Sequence, residues 1–458
     1  MLPETASSLG DRPVVRAAHR DMGDETSALH DELRQMVMRV FMIEREQFTF
    51  DEQTAVQVMR HQLLVDPNSR LSAIFEGRLL TESEPAYDQL DSLFATVDHV
   101  PVFRQDGEKQ VIYAVSGRSE PKPRPVWLNW VLFLATIFSV LWVGTESAIN
   151  EIAATNLEYA RSLLDTFVLE LWRGIPYAVA ILLILGAHEL GHYFAARRHG
   201  LAVTLPYFIP APPFLLPTPF GTFGAFIQLR QAMRSRKVLF DVGAAGPFMG
   251  LVFAIPIVLI GLATSPVKQV EPGIAFIEGN SLLYALAKTI VFQRFLPANG
   301  EDVFLNQIAW AGWAGLLVTA LNLIPIGQLD GGHILYALIG KRARLFYYPL
   351  MGVVLLLSLR SETWILWFVL LLLFGRMYAA PLDDITPLDP RRRIWGIVGL
   401  VVFAVTFVPE PLSAVTIPEL GDRQTVMVPI MFGLLALWTT RRVWATRRMA
   451  FMRRFRLR

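Results

Sequence analysis

The sequence predicts a polytopic all-α membrane protein with about eight transmembrane helices and a re-entrant loop or β-hairpin, joined to a small soluble α/β domain at its N-terminus. Two observations lead to this fold class. Hydrophobic residues make up 53% of the 458 residues and charged residues only 18%, which is more apolar than an ordinary soluble domain. The long apolar segments begin only near Val126, so the chain before that residue forms a separate, soluble head.

The soluble head divides into three parts. Residues 1–30 are polar and are predicted to be disordered. Residues 31–115 have the mixed pattern of a small α/β domain, which we expect on the cytoplasmic side. Residues 116–125 are rich in proline and basic residues and are predicted to be a short, stiff linker. No motif of known chemistry occurs in the head, which favours a regulatory or substrate-docking role.

Local patterns predict two helices and a hairpin within the head. Apolar residues recur at helical spacing over residues 54–65 and again over residues 87–97. Residues 100–103 and 110–114 have the character of strands, and the Asp-Gly pair between them is a hairpin-turn signal. We therefore expect an antiparallel strand pair that directly follows the second helix.

The membrane body, residues 126–440, contains eight apolar segments, and its core is predicted to be residues 174–340. We place the spans near residues 127–145, 174–196, 241–264, 306–326, 345–359, 363–375, 394–408 and 425–439. Several are shorter than the roughly 20 residues that cross a bilayer, which predicts tilting or partial insertion. Residues 281–296 are predicted to form an extra amphipathic helix on the outer side.

Charged residues between the spans predict their orientation. If the head is cytoplasmic and the chain alternates, the basic clusters fall on the side of the head: Arg197 and Arg198, residues 234–237, 341–344 and 391–393, and the C-terminal tail. The opposite loops hold acidic residues: Glu146, Glu151, Glu158, Glu301, Asp302, Glu410, Glu419 and Asp422. This positive-inside distribution predicts cytoplasmic termini, in a bacterial plasma membrane or, alternatively, a chloroplast membrane.

The net charge of +2 conceals an acidic head and a basic remainder. Residues 1–124 carry 14 Lys and Arg against 21 Asp and Glu, a net charge of −7, so the rest carries +9. The basic tail, residues 441–458, has eight arginines and no acidic residue, and is predicted to lie on anionic lipid or, alternatively, to bind a partner. Nothing indicates nucleic-acid binding. The lack of cysteine excludes disulfides and thiolate metal ligands.

Two histidines four residues apart lie inside the second span, in the sequence His188-Glu189-Leu190-Gly191-His192. Residues four apart share one face of a helix, so His188 and His192 can bind one Zn²⁺ while Glu189 reaches the water to be activated. Charged groups at this depth are costly and tend to be functional. The alternative is a pair of interface histidines without metal, which would bury two imidazoles and a carboxylate with nothing to offset the cost.

A third zinc ligand is expected, because catalytic zinc sites have three protein ligands and one open position. Asp330 is the strongest candidate, since it follows an apolar span. Pro325, Gly331 and Gly332 interrupt the helix around it, so that backbone can approach the metal. Taken alone, Asp330 fits better as the start of a turn, because Asp-Gly is a common turn pair, and it is the histidine motif that favours ligation.

Three further polar residues have weaker assignments. Asn322, about two turns before Asp330, can donate to a developing oxyanion or to substrate backbone, or can simply join two helices. His333 is a weaker ligand candidate than Asp330. Asp241 precedes a run of small residues that permits close helix packing, and is predicted to cap its helix rather than to bind metal.

Residues 205–230 join the second and third spans and contain six prolines between positions 206 and 219, which forbid a regular helix. The glycine-spaced residues 220–229 alternate enough to form an exposed strand edge. Such an edge can hold an unwound substrate by β-augmentation, which a protease needs because helical peptide bonds are sequestered. A re-entrant loop that only fills the helix bundle is an equal alternative.

Together these motifs resemble the site-2 protease family of intramembrane zinc metalloproteases, strongly over residues 174–340. The resemblance rests on four stretches: residues 188–192, 221–224, 240–247 and 322–331. Including residues 387–390, the chain looks most similar to the prokaryotic and chloroplast branch with a soluble N-terminal extension. That branch includes the plant proteins named for ethylene-dependent gravitropism deficiency and yellow-green leaves.

The resemblance implies a role for each site residue. His188, His192 and Asp330 would bind zinc, Glu189 would be the catalytic base, and Asn322 would assist the transition state or place the substrate. The implied substrates are single-span membrane proteins, cut within or near their transmembrane segments in regulated intramembrane proteolysis. Since no PDZ-like domain lies between the two zinc motifs, substrate selection is expected to fall to the head or the proline-rich loop.

Two other function classes remain open on the sequence. A zinc transporter would show several ligand clusters along one pathway. A non-catalytic metal-binding member would bind or chaperone membrane clients without cutting them. The sequence does not determine the substrate, the activating signal or the oligomeric state.

Overall fold

The computed structural model describes residues 14–50, 70–118, 125–153, 155–215, 218–269, 276–298, 301–361 and 363–414. The chain forms two compact units. The first comprises residues 1–120 together with residues 380–387, and the second comprises residues 121–379 and 388–458. The sequence analysis assigned residues 380–387 to the membrane body, whereas the structure joins them to the head.

The head unit is built on a four-stranded antiparallel sheet. Its elements in chain order are α1 (Val14–Met38), β1 (Phe41–Gln47), β2 (Arg70–Leu79), α2 (Ser83–Phe94), β3 (His99–Asp106) and β4 (Lys109–Ser116), and the strands lie in the order β1-β2-β4-β3. Leu33 and Val37 of α1 pack with Phe75 of β2 and Leu90 of α2 in one fully buried cluster. Burial of such apolar side chains is the main force that holds a small sheet and its helices together.

The hairpin predicted in the head is confirmed. Strands β3 and β4 pair antiparallel up to Asp106↔Lys109, and Gly107 in the turn has φ 61°, a conformation that glycine adopts without strain. The helix predicted over residues 87–97 begins earlier, at Ser83, and closes with a 3₁₀ turn at Ala95–Val97. The helix predicted over residues 54–65 lies outside the described residues.

Disorder over residues 1–30 is contradicted from Val14 onward, where α1 begins. The physical reason lies at the other end of the helix, where Leu33, Met36 and Val37 are buried in the head core. A helix anchored by tertiary packing can propagate into a polar segment whose composition alone would not order it.

The segment 380–387 lies beside the edge strand β3. The Phe103 amide donates to the Leu382 carbonyl at 2.9 Å, and the Asp384 amide donates to the Phe103 carbonyl at 3.2 Å, in a parallel pairing. Arg104 is only 2% exposed, and one terminal nitrogen of its guanidinium lies 2.8 Å from the carbonyl oxygens of Phe103, Pro381 and Leu382. Residues 380–387 thus pair with the head sheet. The chain then leads through residues 388 and 389 into a helix of the other unit, which begins at Pro390.

The second unit is helical. Its helices are α3 (Trp127–Ala153), α4 (Leu157–Asp165), α5 (Ile175–Arg198), α6 (Arg236–Ala263), α7 (Leu282–Phe292), α8 (Gln307–Asn322), α9 (Asp330–Ile339), α10 (Tyr347–Ser358), α11 (Thr363–Phe374) and α12 (Pro390–Thr406). Short 3₁₀ segments precede α5 (Phe167–Gly174) and α10 (Gly340–Phe346). Its strands form three small antiparallel pairs: β5 (Tyr207–Pro210) with β6 (Thr222–Phe226), β7 (Val267–Gln269) with β9 (Glu301–Val303), and β8 (Phe276–Glu278) with β10 (Leu412–Ala414).

Three helical stretches are long and apolar enough to cross a membrane: Trp127–Ala153, Phe167–Arg198 and Arg236–Ala263. The predicted spans up to residue 408 each coincide with a helix, and the shorter ones correspond to α8, α10, α11 and α12. The predicted span at 425–439 and the basic tail 441–458 lie outside the described residues. A polytopic helical membrane protein is therefore the architecture, and the count of eight spans stays a prediction.

Helices α5, α6 and α8 form the centre of the second unit. Buried side chains from all three pack into one cluster that includes Ile181 and Ile184 of α5, Leu251 and Ala254 of α6, and Trp313 of α8. Apolar side chains cover α5 and α6 nearly all round, which is typical of helices that face either lipid or other helices. This packed trio carries the histidine motif on α5 and Asn322 on α8, whereas Asp330 begins α9.

Candidate metal centre

The histidine motif lies in the second half of α5. This helix begins after the 3₁₀ turn with Pro176 in its first turn, a position that tolerates a missing amide, and it ends with Arg197 and Arg198. Its side chains at positions 188, 189 and 192 are 4%, 6% and 7% exposed. Two imidazoles and a carboxylate are thus buried together in an apolar helix, which calls for a specific partner.

Asp330 is that partner for both histidines. The Oδ2 atom of Asp330 lies 3.3 Å from Nε2 of His188 and 3.3 Å from Nε2 of His192, and the two Nε2 atoms lie 3.1 Å apart. Tetrahedral zinc with ligand bonds of about 2.0–2.1 Å separates its ligand atoms by roughly 3.3 Å. The three atoms therefore have the spacing of three corners of a zinc tetrahedron, and the residues present fit this ion.

Two helices and a tight turn bring Asp330 to the histidines. Helix α8 ends at Asn322 and α9 begins at Asp330, after a turn in which Gly327 has φ 59°. A side chain at Gly331 would begin only 1.9 Å from the Leu323 carbonyl oxygen, so the chain returns close on itself there. The sequence predicted a break at this point, and the break sets the ligand at the start of a helix.

Asn322 also reaches the site. Its Nδ2 atom lies 3.3 Å from Nε2 of His188, at the edge of the triangle of ligand atoms. An amide there can donate to an oxygen that approaches the same metal. His333, the weaker ligand candidate, lies one turn after Asp330 but does not join the group of ligand atoms; its Cβ faces Gly243 of α6.

Helix α6 contributes two features that the sequence analysis did not assign to the site. The backbone carbonyl of Val242 lies 2.6 Å from Nδ1 of His192 and accepts a hydrogen bond from it, which leaves Nε2 of the neutral ring free as a ligand. At Gly246, one turn later, an added Cβ would sit 2.0 Å from that Nε2. The small residues of α6 were predicted to permit close packing, but their contact with a specific ring required the tertiary structure.

The prediction that Asp241 caps α6 is wrong. The helix begins five residues earlier, and Ser235 is its N-cap, with a side chain that accepts a hydrogen bond from the Val238 amide. Asp241 lies in the second turn and pairs with Arg392 and His199. The misassignment came from the basic segment before Asp241, which looks like a loop in the sequence but folds as the first turn of the helix.

The proline-rich loop forms the predicted strand edge as a hairpin of β5 and β6. Four side chains from the helices donate to backbone carbonyls of the loop: Asn129 to Leu205 and Pro206, Ser139 to Gly221, Tyr177 to Phe220, and Trp310 to Pro219. The backbone amide of Ile227, just after β6, lies beside the Glu189 carboxylate. The hairpin is thus fixed to the bundle, and its end reaches the predicted catalytic base.

Sequence comparison agrees with this geometry. Residues 176–358 match the family model described as Peptidase family M50. They span α5 through α10 and include every predicted site residue. This segment is a peptidase family M50 domain. The resemblance to the site-2 protease family is therefore confirmed, and the matched residues include both the histidine helix and the Asp330 turn.

Curated relatives of the chain include plant proteins. The chain is 30% identical over 315 residues to "Probable zinc metalloprotease EGY1, chloroplastic" of Oryza sativa subsp. japonica, covering 64% of this chain and 52% of the relative. It is 31% identical over 356 residues to "Probable zinc metalloprotease EGY2, chloroplastic" of Arabidopsis thaliana, covering 74% of this chain and 60% of the relative. The chain thus spans between half and two thirds of these relatives.

Among the described residues, His188, His192 and Asp330 are the group of His and carboxylate side chains close enough to share a metal ion. A transport pathway would need further groups of this kind along the helices, and the described part of the chain does not show them. The donor set of two imidazoles and one carboxylate is that of a zinc hydrolase with an open fourth position.

Proposed function

We propose that this protein is an intramembrane zinc metalloprotease that hydrolyses peptide bonds within or near the transmembrane segments of single-span membrane proteins. The observation that carries the proposal is the triangle of His188 Nε2, His192 Nε2 and Asp330 Oδ2, with edges of 3.1–3.3 Å, inside an apolar helix bundle. The names of the plant relatives support zinc and proteolysis, and the M50 match supports the same class.

Each residue of the site then has a task. His188, His192 and Asp330 would hold the ion, which when bound supplies Lewis acidity and makes water nucleophilic at neutral pH. Glu189, buried on the same helix, takes the proton from water and returns it to the leaving amine. Asn322 donates to the substrate oxygen that becomes negative during attack.

The substrate is expected to bind along β6. Ladder positions on this strand alternate in direction, and the Gln228 carbonyl bonds to the Thr204 amide on the β5 side. On this alternation the backbone of Ala225 and Ile227 faces away from β5. A substrate strand added at this edge would run past Glu189, because the Ile227 amide lies beside that carboxylate. Extension of the substrate there exposes peptide bonds that a helix would sequester.

The orientation follows from charge. Helices α5 and α6 have basic residues at the ends nearest the site, Arg197 and Arg198 on α5, and Arg236 and Lys237 on α6. The positive-inside rule assigns these ends, the head and both termini to the cytoplasm in an eight-span topology. Water would then reach the site from the cytoplasmic side. A bacterial plasma membrane fits this arrangement, and the chloroplastic relatives make a chloroplast membrane the alternative.

The proposal is tested by cleavage of single-span test substrates by purified protein in liposomes, with bound zinc quantified. Wild type should contain zinc and cut. Glu189→Gln should contain zinc and not cut, because only the base is lost, and His188→Ala should lose both zinc and activity. Glu151→Gln, an exposed glutamate at the end of α3, is the matched control and should behave as wild type.

Three outcomes would contradict the proposal. A Glu189→Gln protein that still cuts would remove Glu189 as the base. Zinc in the wild type without cleavage of any test substrate would favour the non-catalytic client-binding alternative, whereas zinc flux across the liposome membrane would favour a transporter.

A further inference from the structure

A polar cluster beside the metal centre joins three helices. The Asp241 carboxylate on α6 accepts two hydrogen bonds from the Arg392 guanidinium, from Nε to Oδ1 and from Nη2 to Oδ2, both at 2.7 Å. Nε2 of His199, the residue that caps the C-terminus of α5, lies 2.8 Å from the same Oδ2. We call Asp241, Arg392 and His199 the Asp241 brace.

Arg392 is itself held in place. Asp389 is the N-cap of α12: its Oδ1 accepts from the Arg392 amide at 3.1 Å, and its Oδ2 accepts from Nη1 of the same side chain at 2.7 Å. The guanidinium therefore uses one edge for Asp241 and the opposite nitrogen for Asp389. Bidentate, charge-assisted bonds of this kind fix orientation as well as distance.

The brace adjoins the residue that orients a proposed zinc ligand. Val242, next to Asp241, provides the carbonyl that accepts from Nδ1 of His192 at 2.6 Å. His199 follows His192 by seven residues, about two turns, so both imidazoles lie on the face of α5 that meets α6. Helices α5 and α6 are thus joined by two polar contacts at consecutive residues of α6.

The zinc site tolerates little sliding between these helices. Gly246 leaves the space that Nε2 of His192 occupies, because a Cβ at that position would be 2.0 Å away. One residue of a helix corresponds to about 1.5 Å of rise, so a shift of that size would move the Val242 carbonyl away from Nδ1 and bring a bulkier neighbour towards Nε2.

We propose that the Asp241 brace fixes the register of α6 on α5 and thereby orients His192 for zinc, which makes Asp241 and Arg392 positioning residues. The inference rests on the proposed zinc site and names the residues that hold one of its ligands in place. Partners that orient metal-binding histidines typically contribute 10- to 100-fold to metal affinity, and a brace that acts through the backbone is expected at the lower end of this range.

The test measures zinc affinity of the full-length protein in detergent by competition with a chelating indicator. Asp241→Ala and Arg392→Ala should each weaken zinc binding about tenfold, and the double variant should be no weaker than either single one, because both remove the same contact. Cleavage by these variants should recover in excess zinc. Glu170→Ala, which removes the partner of Arg173 in a part-buried ion pair before α5, is the matched control and should leave affinity unchanged.

Asp241→Asn keeps the size of the side chain and Arg392→Gln keeps a shorter polar side chain, and these variants serve if an alanine variant does not fold. Folded variants with wild-type zinc affinity would overturn this inference and leave the proposed function unaffected. A wild-type protein without zinc affinity would overturn the proposed function and the inference with it. Weakened binding that excess zinc does not repair would assign the brace to general stability and also overturn the inference.

Discussion

At the scale of single residues, the site depends on the absence of a side chain at Gly246 as much as on the proposed zinc ligands. The histidines and Asp330 can converge only because glycine stands opposite His192. Gly246 has no side chain where a Cβ would lie 2.0 Å from the Nε2 atom that faces the metal. A helix interior gives glycine no conformational advantage, so its presence there has a packing reason.

We therefore expect Gly246→Ala to abolish zinc binding, because the methyl group must displace the His192 ring from the triangle. Metal analysis of the purified variant measures this. Gly186→Ala on α5 is the matched control and should keep full zinc content. No neighbouring atom lies within 4 Å of the position that its Cβ would occupy. A zinc-loaded Gly246→Ala protein would show that α6 does not pack on the ligand as described.

The residues that bear the chemistry were predictable because their signal is local. His188, Glu189 and His192 lie within five residues of one helix, so their spacing alone predicts a shared metal. Asp330 needed the helix break around it and the family resemblance. The Val242 carbonyl and Arg392 carry no local signal, since a backbone oxygen has no residue type and an arginine 200 residues from the motif has no spacing to it.

At the scale of secondary-structure elements, the β5–β6 hairpin is the part that differs most from a plain helix bundle. Its prolines exclude helix, and hydroxyl, amide and indole donors on the surrounding helices satisfy its carbonyls. In a bundle without free water, each such carbonyl needs a partner. The hairpin is thereby a fixed edge, which is what binding of an extended substrate requires.

Ser139→Ala is expected to lower cleavage of single-span substrates about tenfold while zinc stays bound. The serine hydroxyl is buried and donates to the Gly221 carbonyl at 2.6 Å, and loss of a buried partner costs about 1–3 kcal/mol. Thr136→Val on the same helix is the control, because its buried hydroxyl bonds to the Leu132 carbonyl of its own helix. Equal cleavage by both variants would show that the hairpin does not take part in substrate binding. Rates in liposomes with zinc quantified provide the measurement.

At the scale of the whole molecule, the head contains a segment from far along the chain. Residues 380–387 follow α11 and precede α12, yet they pair with β3 and surround the guanidinium of Arg104. A covalent connection of this kind means that the head fold includes part of the connection between two helices of the membrane unit.

Arg104→Met should loosen this segment, because the Pro381 and Leu382 carbonyls lose a buried donor. Hydrogen exchange at the Asp384 amide, which pairs with Phe103, should become at least tenfold faster, since tenfold corresponds to about 1.4 kcal/mol. Arg78→Met on β2 removes a side chain that is 73% exposed, and exchange at Asp384 should not change. Unaltered exchange in the Arg104 variant would mean that backbone pairing alone holds the segment.

The proposed orientation can be tested directly because the chain has no cysteine. A single cysteine at Thr155, between α3 and α4, should react with a membrane-impermeant thiol reagent from outside the cell. A single cysteine at Lys341, between α9 and α10, should react only after the membrane is opened. Both positions are exposed in the structure, so lack of access would report on sidedness rather than burial. The reverse pattern would contradict cytoplasmic termini.

The sequence by itself determined the membrane architecture, the histidine helix and the hairpin of the head, because hydropathy, i to i+4 spacing and Asp-Gly turns act over short stretches of chain. It did not anticipate the helix from Val14, the inclusion of residues 380–387 in the head, or the brace between Asp241 and Arg392. Each of these depends on contacts between segments far apart in sequence, and local energies do not encode which distant segments meet. Only the tertiary structure decided that two separate helices would place their three ligand atoms 3.1–3.3 Å apart.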